Sequence, residues 1–499
     1  MSNQVDIPKE AVNVMNYSMG EFTPGDGAEL KVMSPYTNAH IGSLKESSAK
    51  TLAAIVEKAK TPQAAWAATP LKERCQVMFR LREILLRDID KISHRISSEC
   101  GKTLPEAKAE IMKGVEVIEF ASSLQNLDVG GKLEVSRGVH CEYRREALGI
   151  VAMVTPFNFP SMVPLWMLPI AITLGNALIW KPSEKTPLTS LMIADATKES
   201  GLPDGILNIV QGSKDTVNAI IENKDISAIG FVGSTAVAKY IYQAGSQNMK
   251  RVLALGGAKN HILLLPDADP ELTGKGVADS FTGCAGQRCM AASVLCAVEL
   301  PGTEARIEKL IEAIKTHAEA TTVGDKMGAI ISKDSLEKLQ SAIAQAEKEG
   351  ASLILDGRKA GDPGNYAGGN WLAPTILDNV KPGTHAHVTE LFGPVLSIIR
   401  CKTVEEALKI QNSSEYGNAV SVFTQNGAVA EEVATKGQAG MVGVNIGVPV
   451  PREPFSFGGT FESKFGHGDI TGIHSLDFWS NIKKVTTKWA PQKDSNWMS

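Results

Sequence analysis

Gly149-Ile150-Val151-Ala152-Met153-Val154, a Pro-bearing turn, an apolar helical stretch and then Asn176-Ala177-Leu178-Ile179-Trp180 form the part of the sequence that decides the fold class. Both runs are short and apolar throughout, as expected of strands buried on both faces of a parallel sheet. They make two βα units side by side. A third strand, Ala228-Ile229-Gly230-Phe231-Val232, enters the turn Gly233-Ser234-Thr235 and a helix beginning near Ala236. The first backbone N–H groups of such a helix lack partners within it and can face an anion. Strands alternating with longer amphipathic stretches predict an α/β protein.

Working outward, Phe159 to Trp180 contains no charged residue and is long enough to span a bilayer. Pro160, Pro164, Pro169, Gly175 and Asn176 interrupt it, so a buried helix followed by a buried strand is the better reading. From Gly256 a second α/β pattern begins, with helices predicted at about 304–320 and 334–349. The segments 128–146 and 480–489 alternate apolar and polar residues like exposed strands, and such edges usually pair. Subunit association, as a dimer or tetramer, is the expectation.

The 499 residues, 43% of them hydrophobic, suffice for two or three domains. With 51 Lys+Arg against 55 Asp+Glu, the formal net charge of -4 argues against a nucleic-acid or bilayer partner and for a small molecule. Seven cysteines without metal-ligand spacing suggest a reduced interior and no metal site. The opening residues lack the cationic start and apolar core of a secretory signal, and a cytoplasmic location is expected.

The chemistry concentrates in Phe281-Thr282-Gly283-Cys284-Ala285-Gly286-Gln287-Arg288-Cys289, where small residues surround a thiol beside a guanidinium. A free cysteine is more often an ordinary buried residue than a nucleophile, so context has to decide. Lys181 and Glu184 follow the strand ending at Trp180, where the carboxyl end of a strand meets a nucleotide in an open α/β sheet. Without such a ligand they would be a solvated loop pair. No G-x-G-x-x-G occurs, so the usual dinucleotide fingerprint gives no support.

The segment Gly286-Gln287-Arg288-Cys289 resembles the catalytic-cysteine motif of the aldehyde dehydrogenase superfamily. Thr155-Pro156-Phe157-Asn158-Phe159-Pro160, Lys181-Pro182-Ser183-Glu184, Phe231-Val232-Gly233-Ser234-Thr235 and Glu390-Leu391-Phe392-Gly393-Pro394 resemble its other landmarks, in family order across nearly the whole chain. Within the superfamily, Pro-Phe-Asn-Phe-Pro, Gly257-Ala258-Lys259-Asn260-His261 and Arg288 are most similar to the CoA-acylating methylmalonate-semialdehyde dehydrogenases. The resemblance implies two Rossmann-like α/β domains and a small β oligomerisation segment. Residues 1–127 and 147–255 would bind NAD, 256–465 would form the catalytic domain, and 128–146 with 480–499 would mediate assembly.

The resemblance also assigns roles. Cys289 is the nucleophile, and Asn158 with the Cys289 backbone N–H receives the oxyanion. Thr155, Phe157, Lys181, Glu184, Lys185, Ser234, Gly256, Glu390 and Phe392 line the NAD site. A carboxylate at Glu184 accepts hydrogen bonds from ribose hydroxyls and repels a 2′-phosphate, favouring NAD over NADP. Arg288 would hold a substrate carboxylate. A second arginine is expected on the helix around 110–120, where this chain offers Lys113, a charge without the planar fork. Cys284 lies off the motif position and is read as structural.

Hydrolytic relatives carry a glutamate ahead of the Gly-Gly pair, and here the aligned residue is Ala254, or Leu255 if the register slips by one. Neither accepts a proton, so coenzyme A is the expected acyl acceptor. Two alternatives stay open: a hydrolytic dehydrogenase releasing a free acid, and a catalytically silent member serving as a binding protein.

Overall fold

The computed structural model describes residues 4–128 and 130–489. The last ten positions of the segment 480–499 lie outside them. Strands Ile150–Val154 and Ala177–Lys181 run parallel in register, Val151 opposite Leu178 and Met153 opposite Trp180, with every residue of both buried. Burial on both faces is what the uninterrupted apolar runs require. Between them lies the helix Met162–Thr173, itself buried from Val163 to Thr173. No helix among the described residues is long and apolar enough to cross a membrane.

These strands are the centre of an eight-stranded sheet. Its order is Lys464–Phe465, Arg251–Leu255, Ile226–Val232, Ile150–Val154, Ala177–Lys181, Leu207–Ile209, Asn16–Ser18, Glu21–Thr23. The five middle strands are parallel and the flanking ones antiparallel. Strand order reverses between Ile150–Val154 and Ile226–Val232. A crevice opens at the carboxyl ends of strands at such a switch point. Thr155 and Gly233-Ser234 follow those two strands directly.

A second sheet has the order Ser352–Leu355, Thr375–Asp378, Val395–Cys401, Ala292–Val298, Asn260–Leu264, Ala419–Phe423, Met441–Val444, parallel except at its Ser352–Leu355 edge. Helices Glu304–Glu319 and Lys333–Lys348 belong to this half and bury their apolar stripes.

The segment 128–146 contains two strands rather than one. Gly131–Ser136 and Val139–Ala147 form a hairpin through Gly138, whose φ of +72° suits a residue without Cβ. Ser480–Lys488 pairs antiparallel along the whole of Val139–Ala147, giving a three-stranded sheet with Val139–Ala147 in the middle. The two alternating segments therefore pair with each other. The antiparallel strands near the N-terminus were not foreseen, because two- and three-residue strands carry too little periodicity to read.

Helix Leu104–Leu127 bridges to the functional region. Thr103 caps it by accepting a hydrogen bond from Glu106 N, while the Glu106 carboxylate accepts from Thr103 N at 3.0 Å, and Pro105 occupies the first turn.

Candidate active site

Cys289 stands where two chambers meet. On one side a cleft of about 960 Å³ is lined by Thr155, Phe157, Asn158, Lys181, Glu184, Lys185, Ser234, Gly256, Glu390 and Phe392, among others. Every cofactor position inferred from sequence is in this one cleft. On the other side a tunnel of about 540 Å³ is lined by Arg288, Lys113, Glu106, Glu110, Trp166 and Phe457, among others. Phe159 and Cys289 are the two residues common to both linings.

The cysteine loop is held tightly. The helix Pro270–Thr282 ends at Gly283, and the next turn places Cys284 at φ 54° and Ala285 at φ 52°. Left-handed backbone costs a non-glycine residue about 1–2 kcal/mol, so the turn persists only where neighbours fix it. The Glu106 carboxylate does so by accepting a hydrogen bond from Cys284 N at 2.6 Å. Gly286, at φ +67°, packs its α-carbon against the Gly393 carbonyl and leaves no room for a Cβ. That contact joins the Gly-Gln-Arg-Cys and Glu-Leu-Phe-Gly-Pro stretches. Gln287 ties the loop to Ala329 and Ile331 through both ends of its amide. The Cys289 carbonyl accepts hydrogen bonds from Asn260 Nδ2 at 2.7 Å and Asn418 Nδ2 at 3.0 Å.

Asn158 Nδ2 donates to the Gln287 carbonyl at 2.9 Å, which fixes the amide beside the cysteine loop. An amide carries two N–H groups, so one remains for a ligand.

The Cys289 thiol is pushed up to about 12, first by burial and then by the neighbouring Glu390 carboxylate. Glu390 is itself raised to about 7 by burial, although its carboxylate accepts from Ala258 N at 2.9 Å. Burial likewise brings Lys259 down to about 7, with its ammonium donating to the Thr389 carbonyl at 2.7 Å. Cys284 rises to about 11 through burial, in keeping with a structural thiol.

In the cleft, Lys181 Nζ lies 3.3 Å from Glu184 and 2.9 Å from the Gly212 carbonyl, and burial lowers its pKa. The Glu184 side chain is 37% exposed and faces the cleft. Ser234 is the N-cap of the helix Thr235–Gln247, yet its hydroxyl makes no capping bond, leaving the first-turn N–H groups to the cleft. Phe157 and Phe392 meet edge to face with centroids 5.9 Å apart, and Lys185 Nζ lies 5.5 Å from the Phe157 ring. The Thr155 hydroxyl accepts from Trp180 Nε1 at 2.9 Å.

The tunnel departs from simple expectation. Lys113 does not stand free: its ammonium is 2.9 Å from Glu453 and 3.0 Å from Glu116, so two carboxylates neutralise it. Arg288 spends one nitrogen on the carbonyls of Asp279 and Ser280, while its buried Nε has no partner among the described residues. Ala254 is buried in its strand, paired with Phe231 and Phe465. Asn260, Asn418, Glu106 and Glu110 escaped the sequence reading. Asn260 lay within the quoted Gly-Ala-Lys-Asn-His stretch and could have been singled out. Glu106 stands in a Thr-x-x-Glu pattern that signals a helix start and nothing more, and Asn418 and Glu110 carry no local signal.

Comparison with known proteins now fits this geometry. The model of the aldehyde dehydrogenase family matches residues 22–485. The chain belongs to that family. A malonate-semialdehyde dehydrogenase of Bacillus cereus is 37% identical over 97% of this chain and 100% of its own length. Among solved structures, a Sinorhizobium meliloti 1021 protein complexed with NAD superposes with a TM-score of 0.94 at 36% identity, covering 97% of this chain and 99% of that one. The methylmalonate-semialdehyde dehydrogenase of Oceanimonas doudoroffii gives 0.93 at 35%, covering 96% and 99%. The α/β aldehyde dehydrogenase fold is thus this chain's fold.

Proposed function

We propose that the protein oxidises a short carboxylated aldehyde, of the malonate or methylmalonate semialdehyde kind, with NAD, and transfers the acyl group from Cys289 to coenzyme A. The observation that carries the reading is the position of Cys289 at the junction of a nucleotide-sized cleft and a separate tunnel. A thiol there reaches an aldehyde entering from one side and a hydride acceptor held on the other.

The cleft residues suit NAD. Glu184 provides acceptors for ribose hydroxyls and an unfavourable charge for a 2′-phosphate, Lys185 lies beside it, and the free N–H groups after Ser234 suit a pyrophosphate. Glu390, near enough to Cys289 to raise its thiol, and Phe392 would border a second ribose. Gly256 offers backbone without a side chain, and Thr155 and Phe157 complete the wall. When bound, NAD supplies the hydride acceptor and a positive charge that favours the thiolate.

Cys289 gives up its thiol proton to solvent, Sγ bonds to the aldehyde carbon, and the carbonyl π electrons move to oxygen. The second N–H of Asn158 and the Cys289 backbone N–H receive that oxyanion, a donor of this kind being worth about 3 kcal/mol. Loss of hydride leaves a thioester on Cys289. Arg288, whose side chain lines the tunnel, holds the substrate carboxylate; Lys113 adds to the field only as part of its ion-paired cluster. With Ala254 where hydrolytic relatives have a glutamate, a water molecule lacks that base, whereas a thiol acceptor exchanges directly. The same reading makes the sheet of 131–136, 139–147 and 480–488 the assembly surface of a homodimer or homotetramer in the cytoplasm.

The test is an NADH absorbance assay with malonate and methylmalonate semialdehydes, with and without CoA, followed by product identification. Acyl-CoA is expected. Equal rates and free acid in both arms would replace this reading with a hydrolytic one, and no NADH from any aldehyde would leave a silent binding protein.

A further inference from the structure

Two carboxylates on one face of the helix Leu104–Leu127 reach the two separate chain segments that carry the oxyanion donors. Glu106 and Glu110 are four residues apart, so they stand one turn above the other. Glu106 Oε1 accepts from Cys284 N at 2.6 Å, five residues ahead of Cys289. Glu110 Oε1 accepts from Ser161 N at 2.7 Å and Met162 N at 3.0 Å, just beyond Asn158. Its other oxygen takes Lys102 Nζ at 2.6 Å, with side-chain exposures of 3% for Lys102 and 0% for Glu110. The Lys102 ammonium also sits 3.4 Å from the centroid of Phe159, the residue following Asn158.

We propose that Glu106 and Glu110 are positioning residues that set the separation of the two oxyanion donors, Glu106 through the left-handed turn at Cys284-Ala285 and Glu110 through the Asn158–Met162 segment. The inference rests on the oxyanion reading above. The two segments lie more than 120 residues apart in sequence and meet directly through the Asn158 to Gln287 hydrogen bond. One rigid helix holding both from behind fixes that meeting to hydrogen-bond tolerance. Neither carboxylate transfers a proton in this scheme. Glu106 is held by Thr103 N and Oγ1 as well as Cys284 N, and Glu110 by one ammonium and two amides.

The test separates donor geometry from thiol reactivity in the full-length enzyme. Aldehyde addition builds an oxyanion, whereas alkylation of Cys289 by iodoacetamide displaces iodide at saturated carbon and builds none. Glu106→Ala is expected to slow the pre-steady-state NADH burst by about 10²-fold, in the range for losing one oxyanion donor. Iodoacetamide alkylation and NAD affinity should stay within about twofold. Glu106→Gln, which keeps an oxygen for Cys284 N, should recover part of the burst rate. Thr103→Ala removes one of the hydrogen bonds that hold Glu106 but keeps the Cys284 contact, and should slow the burst by less than Glu106→Ala does. Because Glu110→Gln alone strands a buried ammonium, the Lys102→Met/Glu110→Gln pair tests the second arm and should slow the burst while sparing alkylation. An unchanged burst in Glu106→Ala, or a parallel fall of burst and alkylation, overturns the proposal. Asn158→Ala serves as reference: if it too leaves the burst unchanged, the oxyanion reading fails with the inference, whereas a slow Asn158→Ala beside a fast Glu106→Ala rejects the inference alone.

Discussion

The cleft and the tunnel share Cys289 but are built on different principles. The cleft is assembled from strand ends and the turns that follow them, at the switch point of a parallel sheet, so its ligand contacts come from short contiguous stretches. The tunnel is assembled from the side of a helix, the cysteine loop and residues 446–457, and much of its charge is already paired within the protein. A backbone-built site leaves a motif in sequence. A site built from side chains of distant segments leaves almost none, and its charges cannot be counted before their partners are known.

The sharpest way to break this contrast is at the shared residue. Cys289→Ala should abolish NADH formation while NAD titration shows near-normal binding, because the thiol belongs to the adduct and the nucleotide contacts lie elsewhere. Residual dehydrogenase activity would move the nucleophile away from the junction. Next in size is Arg288→Leu, which should cut kcat/KM for carboxylated aldehydes by roughly 10- to 100-fold, as for loss of a charged hydrogen bond, and change neutral aldehydes of similar size much less. Equal losses for both classes would make Arg288 a support of the loop through Asp279 and Ser280.

On the cleft side the effects are smaller. Glu184→Gln should narrow the preference for NAD over NADP by roughly fivefold, since a part-exposed charge is worth about 1 kcal/mol. A constant ratio of the two kcat/KM values would detach Glu184 from the ribose. The smallest effect concerns Glu390. Ionised above its pKa of about 7, it raises the Cys289 thiol, and protonated below that it does not. Glu390→Gln should therefore speed iodoacetamide alkylation of the nucleotide-free enzyme a few-fold at pH 8, with the gap closing by pH 6. No gap at either pH would assign the thiol's high pKa to burial alone.

Much of the fold was legible because buried parallel strands are apolar without interruption, as in Ile150–Val154 and Ala177–Lys181. The hairpin inside 128–146 was not, since both its strands alternate alike and only Gly138 marks the turn. The cleft residues were legible through their motifs. The neutralisation of Lys113 was not, because Glu453 lies 340 residues away in sequence. Nor were the contacts from Glu106 and Glu110, which look on paper like the solvated face of an amphipathic helix. Helix geometry puts the two on one face; only the tertiary structure shows that this face is buried against the active site.

The central claim is an acyl group waiting on Cys289 for a thiol acceptor. Rapid mixing of enzyme, NAD and a carboxylated semialdehyde without CoA measures it directly. The account predicts one NADH per active site in the burst, an acyl mass adduct on Cys289 after acid quench, then slow turnover that CoA accelerates by about 10²-fold or more, the size of the missing general-base assistance. Fast steady turnover to free acid, with no accumulated adduct and no response to CoA, would contradict it.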